Sequence, residues 1–363
     1  MKLSEIVKAI ESLAPLALQE SYDNAGLYCG NVSDEISRVL ISLDITEEVV
    51  QEAISEKCQL IVAHHPIIFK PIKKLTGENH VERTLLAAIK NNIALYAAHT
   101  NLDNAYNGVN FKIAKKLNLK NIQVLQPIRN LKKLTVFVPL NYTEKLLKAL
   151  GEAGAGQIGN YKDCSYRVEG IGAFTPNEDA KPHIGEANIK EEVKESRIEV
   201  MLPSYLEKQI IAAMKEAHPY EEVAHYISET TNTNPESGAG AIGELEKELT
   251  PNEFLQKLKK DLNLEAIRYT SFSGKIKRVA VCGGAGSFLL KQATAKKADA
   301  FVSADFKYHD FFDAENTIMI ADVGHSESEF YTRELFFELL TKKIPNIAVL
   351  FSTVNTNPVK YYF

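Results

Sequence analysis

Two adjacent histidines, His64 and His65, close the apolar run of IVAHHPIIF, and a proline then ends it. In an open α/β sheet, ligands bind at the carboxyl ends of the strands. Successive side chains there point in different directions, so each imidazole can serve a different metal ion. The next apolar run, IALYAAH, ends on His99 and continues as HTNLDNAYNGVN, which places Asp103 beside the same sheet edge. A carboxylate is a hard anionic ligand, and a nearby histidine such as His99 can orient it from outside the coordination sphere. In TIMIADVGHSESEF an apolar strand turns through Gly324 into a long helix, with His325 and Glu329 four residues apart on one face. The HExxH motif uses the same spacing to converge two ligands on one metal.

Each fragment has an ordinary reading beside the chemical one. Paired histidines can cap a helix, Asn101, Asp103 and Asn104 can form a turn, and Glu327 and Glu329 can be first-turn acids favoured by the helix dipole. The dipole does not account for His325. Four of the nine histidines fall at expected strand ends, each within four residues of another candidate ligand, which makes coincidence the weaker explanation. Three histidines with two carboxylates and no thiolate suit Zn²⁺ first, and Fe²⁺ or Mn²⁺ as alternatives; a bridging carboxylate lets two ions lie roughly 3.5 Å apart. The expectation is two divalent metal ions per chain.

The elements that position these residues alternate. RVLISLD, LIVAHH and IALYAAH are strands separated by helices from Glu47 to Glu56 and near Val81 to Lys90, the pattern of a mostly parallel sheet. The pattern returns in KRVAVCGG, DAFVSAD, TIMIADVGH and IAVLFST, with a long helix to Lys343. The fold class is therefore α/β, with two similar halves forming the metal-binding core at 1–127 and 236–363. Between them, at 128–235, LKKLTVFVPL and SRIEVMLP are strands, each followed by an amphipathic helix, as in a ferredoxin-like α+β module. ETTNTNPESGAG breaks periodicity and is expected to be a linker.

The 363 residues carry 42 basic and 47 acidic side chains, a formal net charge of −5, so no global positive field exists to recruit nucleic acid. The amino-terminal segment MKLSEIVKAIESLAPLAL is an amphipathic helix without the apolar core of a secretory signal, and no run reaches membrane-spanning length. The four cysteines form no CxxC pair, so neither a thiolate zinc site nor a disulfide framework is indicated. A cytoplasmic protein with no membrane association is expected.

The ordered set SYDNAGL, AHHP, HTNLD, GGAGS and GH followed by SE resembles the NIF-three-like family, whose bacterial members carry the label GTP cyclohydrolase 1 type 2 homolog. The resemblance implies that His64 and His325 hold one ion, that His65 and Asp103 hold the other, and that Glu329 bridges them. It also implies a ring-shaped homohexamer and an insert similar to the trimeric PII and CutA modules. Ser326 stands where many members carry an aromatic residue, and SAD at Ser303–Asp305 where a TGD-like sequence is usual. Asp305, Lys307 and His309 are second-tier candidates near the metals. GGAGS can cradle an anion at a helix start, although close packing is its commoner role. His218 and Glu221, in HPYEEVAHYI, mark a helix end passing into a strand. The functional expectation is a metal-dependent hydrolase acting on a nucleotide or phosphoester, with a non-catalytic metal carrier, sensor or regulator as the alternative.

Overall fold

The computed structural model describes residues 1–362 and shows a mixed α/β protein with three sheets. Its contacts divide the chain into two compact units. One comprises Met1–Pro127 together with the chain from Glu236 onward; the other is Ile128–Pro235.

In the first unit a five-stranded sheet runs in the order Gly26–Cys29, Ala94–Ala97, Leu60–Ala63, Arg38–Ser42, Ala348–Phe351. All neighbours pair in parallel except the first two. Leu60–Ala63 and Ala94–Ala97 are buried at every position, which is why both read as unbroken apolar runs rather than alternating ones. Helices Glu47–Ser55 and His80–Lys90 start at Thr46 and Asn79, whose side chains accept from the amides of Val49 and Glu82. Their apolar faces pack with the sheet around Leu40, Val49, Ile61, Leu85 and Leu95.

A six-stranded sheet follows the order Arg268–Tyr269, Met319–Asp322, Ala300–Ala304, Ile276–Ala285, Asn234–Leu249, Lys120–Ile128. The two sheets exchange strands: Ala348–Phe351, late in the chain, pairs with Arg38–Ser42, while Lys120–Ile128, from the amino-terminal part, lies at the edge of the second sheet. Asn110 adds a buried link, because its Nδ2 donates to the Asp103 carbonyl at 2.9 Å and its Oδ1 accepts from the Gly283 amide at 2.9 Å.

Two elements differ from the sequence expectation. The expected linker is largely the start of the strand Asn234–Leu249, and its glycines serve a close approach: a Cβ on Gly238, at φ +147°, would lie 2.1 Å from the Gln126 carbonyl oxygen. The expected long helix after Gly324 is two helices, His325–Glu329 and Thr332–Lys343. Here the Ser328 hydroxyl donates back to the His325 carbonyl at 2.8 Å, the kind of local bond that bends helices.

The second unit runs strand Leu131–Pro139, helix Thr143–Glu152, strands Ser165–Phe174 and Glu191–Pro203, helix Glu207–Ala217 and strand His225–Glu229. Its antiparallel sheet has the order Ser165–Phe174, Glu191–Pro203, Leu131–Pro139, His225–Glu229. Leu134, Val136, Ile198 and Val200 form one core with Leu146, Leu150, Ile210 and Met214 of the helices. His218 caps the second helix; its Nε2 lies 2.8 Å from the Phe137 carbonyl and its Nδ1 accepts from the Tyr220 amide. Among the described residues no helix is long and apolar enough to cross a membrane.

Replacing Asn110 with Ala leaves the Gly283 amide and the Asp103 carbonyl without that partner. The expected destabilisation is about 1–3 kcal/mol, the typical cost of unsatisfied buried polar groups, measured by denaturant unfolding of the metal-free chain.

Candidate metal centre

His64 and His65 stand just past the strand Leu60–Ala63, where both their amides donate to the Leu43 carbonyl, at 3.1 and 2.9 Å. The two imidazoles are close neighbours, with ring centroids 4.9 Å apart. His64 is fully buried, with Nδ1 2.8 Å from the Ala98 carbonyl. A carbonyl only accepts, so Nδ1 carries the proton and the lone pair of Nε2 faces inward. That Nε2 lies 3.7 Å from Asp103 Oδ1 and 3.6 Å from Glu329 Oε1. Both His64 Nε2 and Asp103 Oδ1 are buried without a hydrogen-bond partner.

His65 meets the other oxygen of the same carboxylate. Its Nδ1 is 2.7 Å from Asp44 and its Nε2 2.8 Å from Glu329 Oε2. His325 arrives from the helix His325–Glu329, with Nδ1 2.6 Å from Asp305 and Nε2 3.2 Å from Glu329 Oε2 and 3.3 Å from His65 Nε2. The donors thus form one group of His64, Asp103 and Glu329 and another of His65, His325 and Glu329, each with its ligand atoms within 4.8 Å of one another. The family resemblance implied a different grouping, which joined His64 with His325 and His65 with Asp103.

Donors about 2.1 Å from one tetrahedral ion stand roughly 3.4 Å apart, so the separations of 3.2–3.7 Å fit a shared cation, whereas the 2.8 Å between His65 Nε2 and Glu329 Oε2 is a hydrogen bond that an ion would have to open. The orphaned atoms of His64 and Asp103 fit it as well, since burying such atoms unsatisfied is costly. These His, Asp and Glu groups could hold metal.

Every outer nitrogen has a holder. Asp44 orients His65, Asp305 orients His325 and Asp23 orients His99 at 2.8 Å, while Thr356 bonds Asp44 and Thr100 bonds Asp23. Such carboxylates fix the ring orientation and raise ligand basicity. Asp23 and Asp44 did not emerge as functional residues from the sequence, although both lie in segments singled out there, SYDNAGL and RVLISLD. His99 does not bond to Asp103; its ring stands 5.3 Å from that of His64, and it joins a third donor group with His64 and His65. His309 is apart, exposed against Tyr308 and Phe312.

The glycine turn serves packing. A Cβ on Gly284, at φ +61°, would lie 2.4 Å from Glu329 Oε1. Its amide bonds the Ser328 hydroxyl, and its carbonyl accepts from Ser303, so the serine that departs from the family pattern builds this turn.

Burial alone would push the His65 imidazole down, but the Asp44 and Glu329 carboxylates outweigh it and raise it to about 10. His325 rises to about 9 against the same burial, through Glu329 and Asp305. Burial and the Glu329 charge lift Asp103 to about 8. Glu329 is itself held well below the usual carboxylate range, because the three histidines overcome its burial.

The open side of His65 and His325 lines a cleft of about 1150 Å³ that also contains Ser326, Phe69 and Tyr361. Its carboxylates are already engaged: Asp44 and Asp305 by histidine, Asp322 by Arg268, Glu327 by Asn357, and Glu82 by the amides of Thr76, Gly77 and Glu78. Lys70 and Lys73 line the same cleft without an ion-pair partner among the described residues.

The metal-free chain should lose stability as pH rises. The raised histidines contribute fully below their unfolded value near 6.5, and that contribution disappears as pH climbs through about 9 and 10. Asp103, raised from 3.8 to about 8, changes in the same direction. The depressed carboxylate Glu329 is already ionised in both states above about pH 6 and does not offset this. Melting temperature measured in chelator should therefore fall between pH 6.5 and 9.

The family model described as Duf34/NIF3 (NGG1p interacting factor 3) matches residues 1–358. A Bacillus subtilis protein named GTP cyclohydrolase 1 type 2 homolog is 38% identical over 369 residues, covering 98% of each chain. A namesake from Staphylococcus epidermidis is also 38% identical, over 99% of this chain and 100% of its own. Among solved structures, a Bacillus cereus protein related to NIF3 superposes with TM-score 0.87 at 38% identity, covering 100% of this chain and 99% of that one. A Staphylococcus aureus protein follows with TM-score 0.77 at 31% identity, with the same coverage.

Proposed function

The chain belongs to the Duf34/NIF3 (NGG1p interacting factor 3) family, and on that premise we propose that it binds two divalent metal ions and uses them to hydrolyse an anionic phosphoester or nucleotide. One observation carries the reading: the Glu329 carboxylate presents Oε1 to His64 and Oε2 to His65 and His325, and Asp103 groups with His64 and Glu329, so a single buried anion faces two donor groups. One ion would be held by His64, Asp103 and Glu329, the other by His65, His325 and Glu329. Zn²⁺ suits three imidazoles with carboxylates, and Fe²⁺ or Mn²⁺ are the alternatives. Such ions, when bound, would supply an activated water and offset negative charge developing on a substrate.

The rest follows from the protein's own groups. Asp44, Asp305 and Asp23 fix the rings, and Lys70 and Lys73 supply unmatched positive charge to an anion entering the cleft. The 128–235 unit is read as an inserted ferredoxin-like domain of the PII and CutA kind, supported by its strand–helix–strand–strand–helix–strand order and antiparallel sheet. A cytoplasmic homohexamer completes the proposal; light scattering of the purified chain should give six chain masses, and a monomer would refute it.

A non-catalytic metal carrier is the second reading, favoured by the contrast between His64, whose side chain is 0% exposed, and His325, at 40%. The open ion would exchange and the deep one would stay.

Elemental analysis of untagged protein tests the centre. Wild type should carry close to two ions; His325→Ala and Asp103→Ala should each lose one, and Glu329→Gln should lose both. Two ions retained in all three variants would exclude the assignment. Turnover separates the readings: a metal-loaded chain that hydrolyses none of a panel of nucleotides and phosphomonoesters, yet releases one ion rapidly to chelator, is a carrier.

A further inference from the structure

The unit Ile128–Pro235 holds a second, chemically different cavity of about 680 Å³. It lies on the sheet face away from the helices. Leu134, Val136, Ile198 and Val200 point to the helix side, so the alternating set that includes Phe137 and Glu195 faces the cavity. The segment Thr175–Ile184 lines it from outside the sheet. Glu221 ties this segment down by accepting from the Lys181 amide at 2.7 Å.

At its centre stands Glu195, on the strand Glu191–Pro203 and only 8% exposed. Burying a carboxylate without a cation is costly, and Glu195 has no ion-pair partner among the described residues. Burial accordingly raises its proton affinity, against the neighbouring Tyr220 hydroxyl. Gly172 on the adjacent strand leaves it room, since a Cβ there would lie 2.1 Å from Glu195 Oε2. The walls are aromatic: Phe137 and Tyr226 pack at 5.8 Å between ring centroids, as do Phe174 and Tyr220. Glu169 and Glu222 also line the cavity, whereas its one lining cation, Arg197, is already paired with Glu199 at 2.6 Å. Among the described residues no cluster of metal-ligating side chains occurs here.

We propose that this cavity binds a small organic cation, an alkylammonium or guanidinium compound, with Glu195 as its counter-ion and the rings of Phe137, Phe174, Tyr220 and Tyr226 as its walls. A buried unpaired carboxylate supplies the charge, and aromatic faces attract cations when both are desolvated. The cavity accepts a ligand of several heavy atoms, which suits an amine better than a bare metal ion. This site lies wholly within the 128–235 unit, so it stands or falls separately from the metal centre.

Isothermal titration of the full chain with agmatine, spermidine and tetramethylammonium tests it, at low and at physiological salt. Saturable binding of at least one is expected at both salts, weakened tenfold or more by Glu195→Gln. Tyr226→Ala, which alters a side chain 63% exposed, should weaken it several-fold with an unchanged melting temperature. No saturable binding of any of the three would overturn the proposal. Binding that survives Glu195→Gln unchanged, or disappears at physiological salt, would overturn it too, by showing only diffuse surface attraction. Zn²⁺ or Ca²⁺ binding lost in Glu195→Gln, without amine binding, would replace the organic cation with a metal and equally refute it.

Discussion

A buried anion governs this molecule. Glu329 is 3% exposed, and leaving such a carboxylate uncompensated costs several kcal/mol. Positive charge must therefore be brought to it, as protons on imidazole or as metal ions. The compensating imidazoles come from two stretches far apart in the chain, His64 with His65 and His325, and Asp103 joins them as a second carboxylate. Bringing them together requires two sheets whose strand ends meet, and the exchange of Ala348–Phe351 and Lys120–Ile128 between those sheets holds them together. Asn110 and Ser328 then fix the backbone at Asp103, Gly283 and Gly284 around the same carboxylate.

The centre has unlike sides. His64 is sealed and relies on a backbone carbonyl, whereas His325 is partly open and relies on Asp305 at the cleft. A group held by a carbonyl has a fixed tautomer, while one held by a carboxylate also gains basicity. The two imidazoles therefore differ in access and in donor strength, although both lie near the same glutamate.

The donor types were legible in the sequence because histidine is rare and strand ends are easily found: HHP, HTNLD and GHSESE each follow an apolar run. Their partition was not legible. It depends on which Glu329 oxygen each imidazole meets, Oε1 for His64 and Oε2 for His65, and no local pattern encodes that. Asp23 and Asp44 were hidden because a carboxylate at a turn or strand end has an ordinary local explanation until the ring it holds is seen. The strand Ser165–Phe174 escaped for a different reason: most of its side chains are exposed and it contains two glycines, so no burial period marks it. The strand Asn234–Leu249 begins with residues typical of a linker, and only the close approach to Gln126 explains Gly238.

The strands Lys120–Ile128 and Asn234–Leu249 are neighbours in one sheet, and the whole 128–235 unit departs from the end of one and returns at the start of the other. Its point of entry and exit is thus equivalent to a hairpin loop, a place where chains tolerate insertion. A short turn could join Ile128 to Asn234 without moving any residue around Glu329. The site around Glu329 is therefore drawn wholly from chain on either side of that connection, and a replacement joined between these two strands would leave its residues in place.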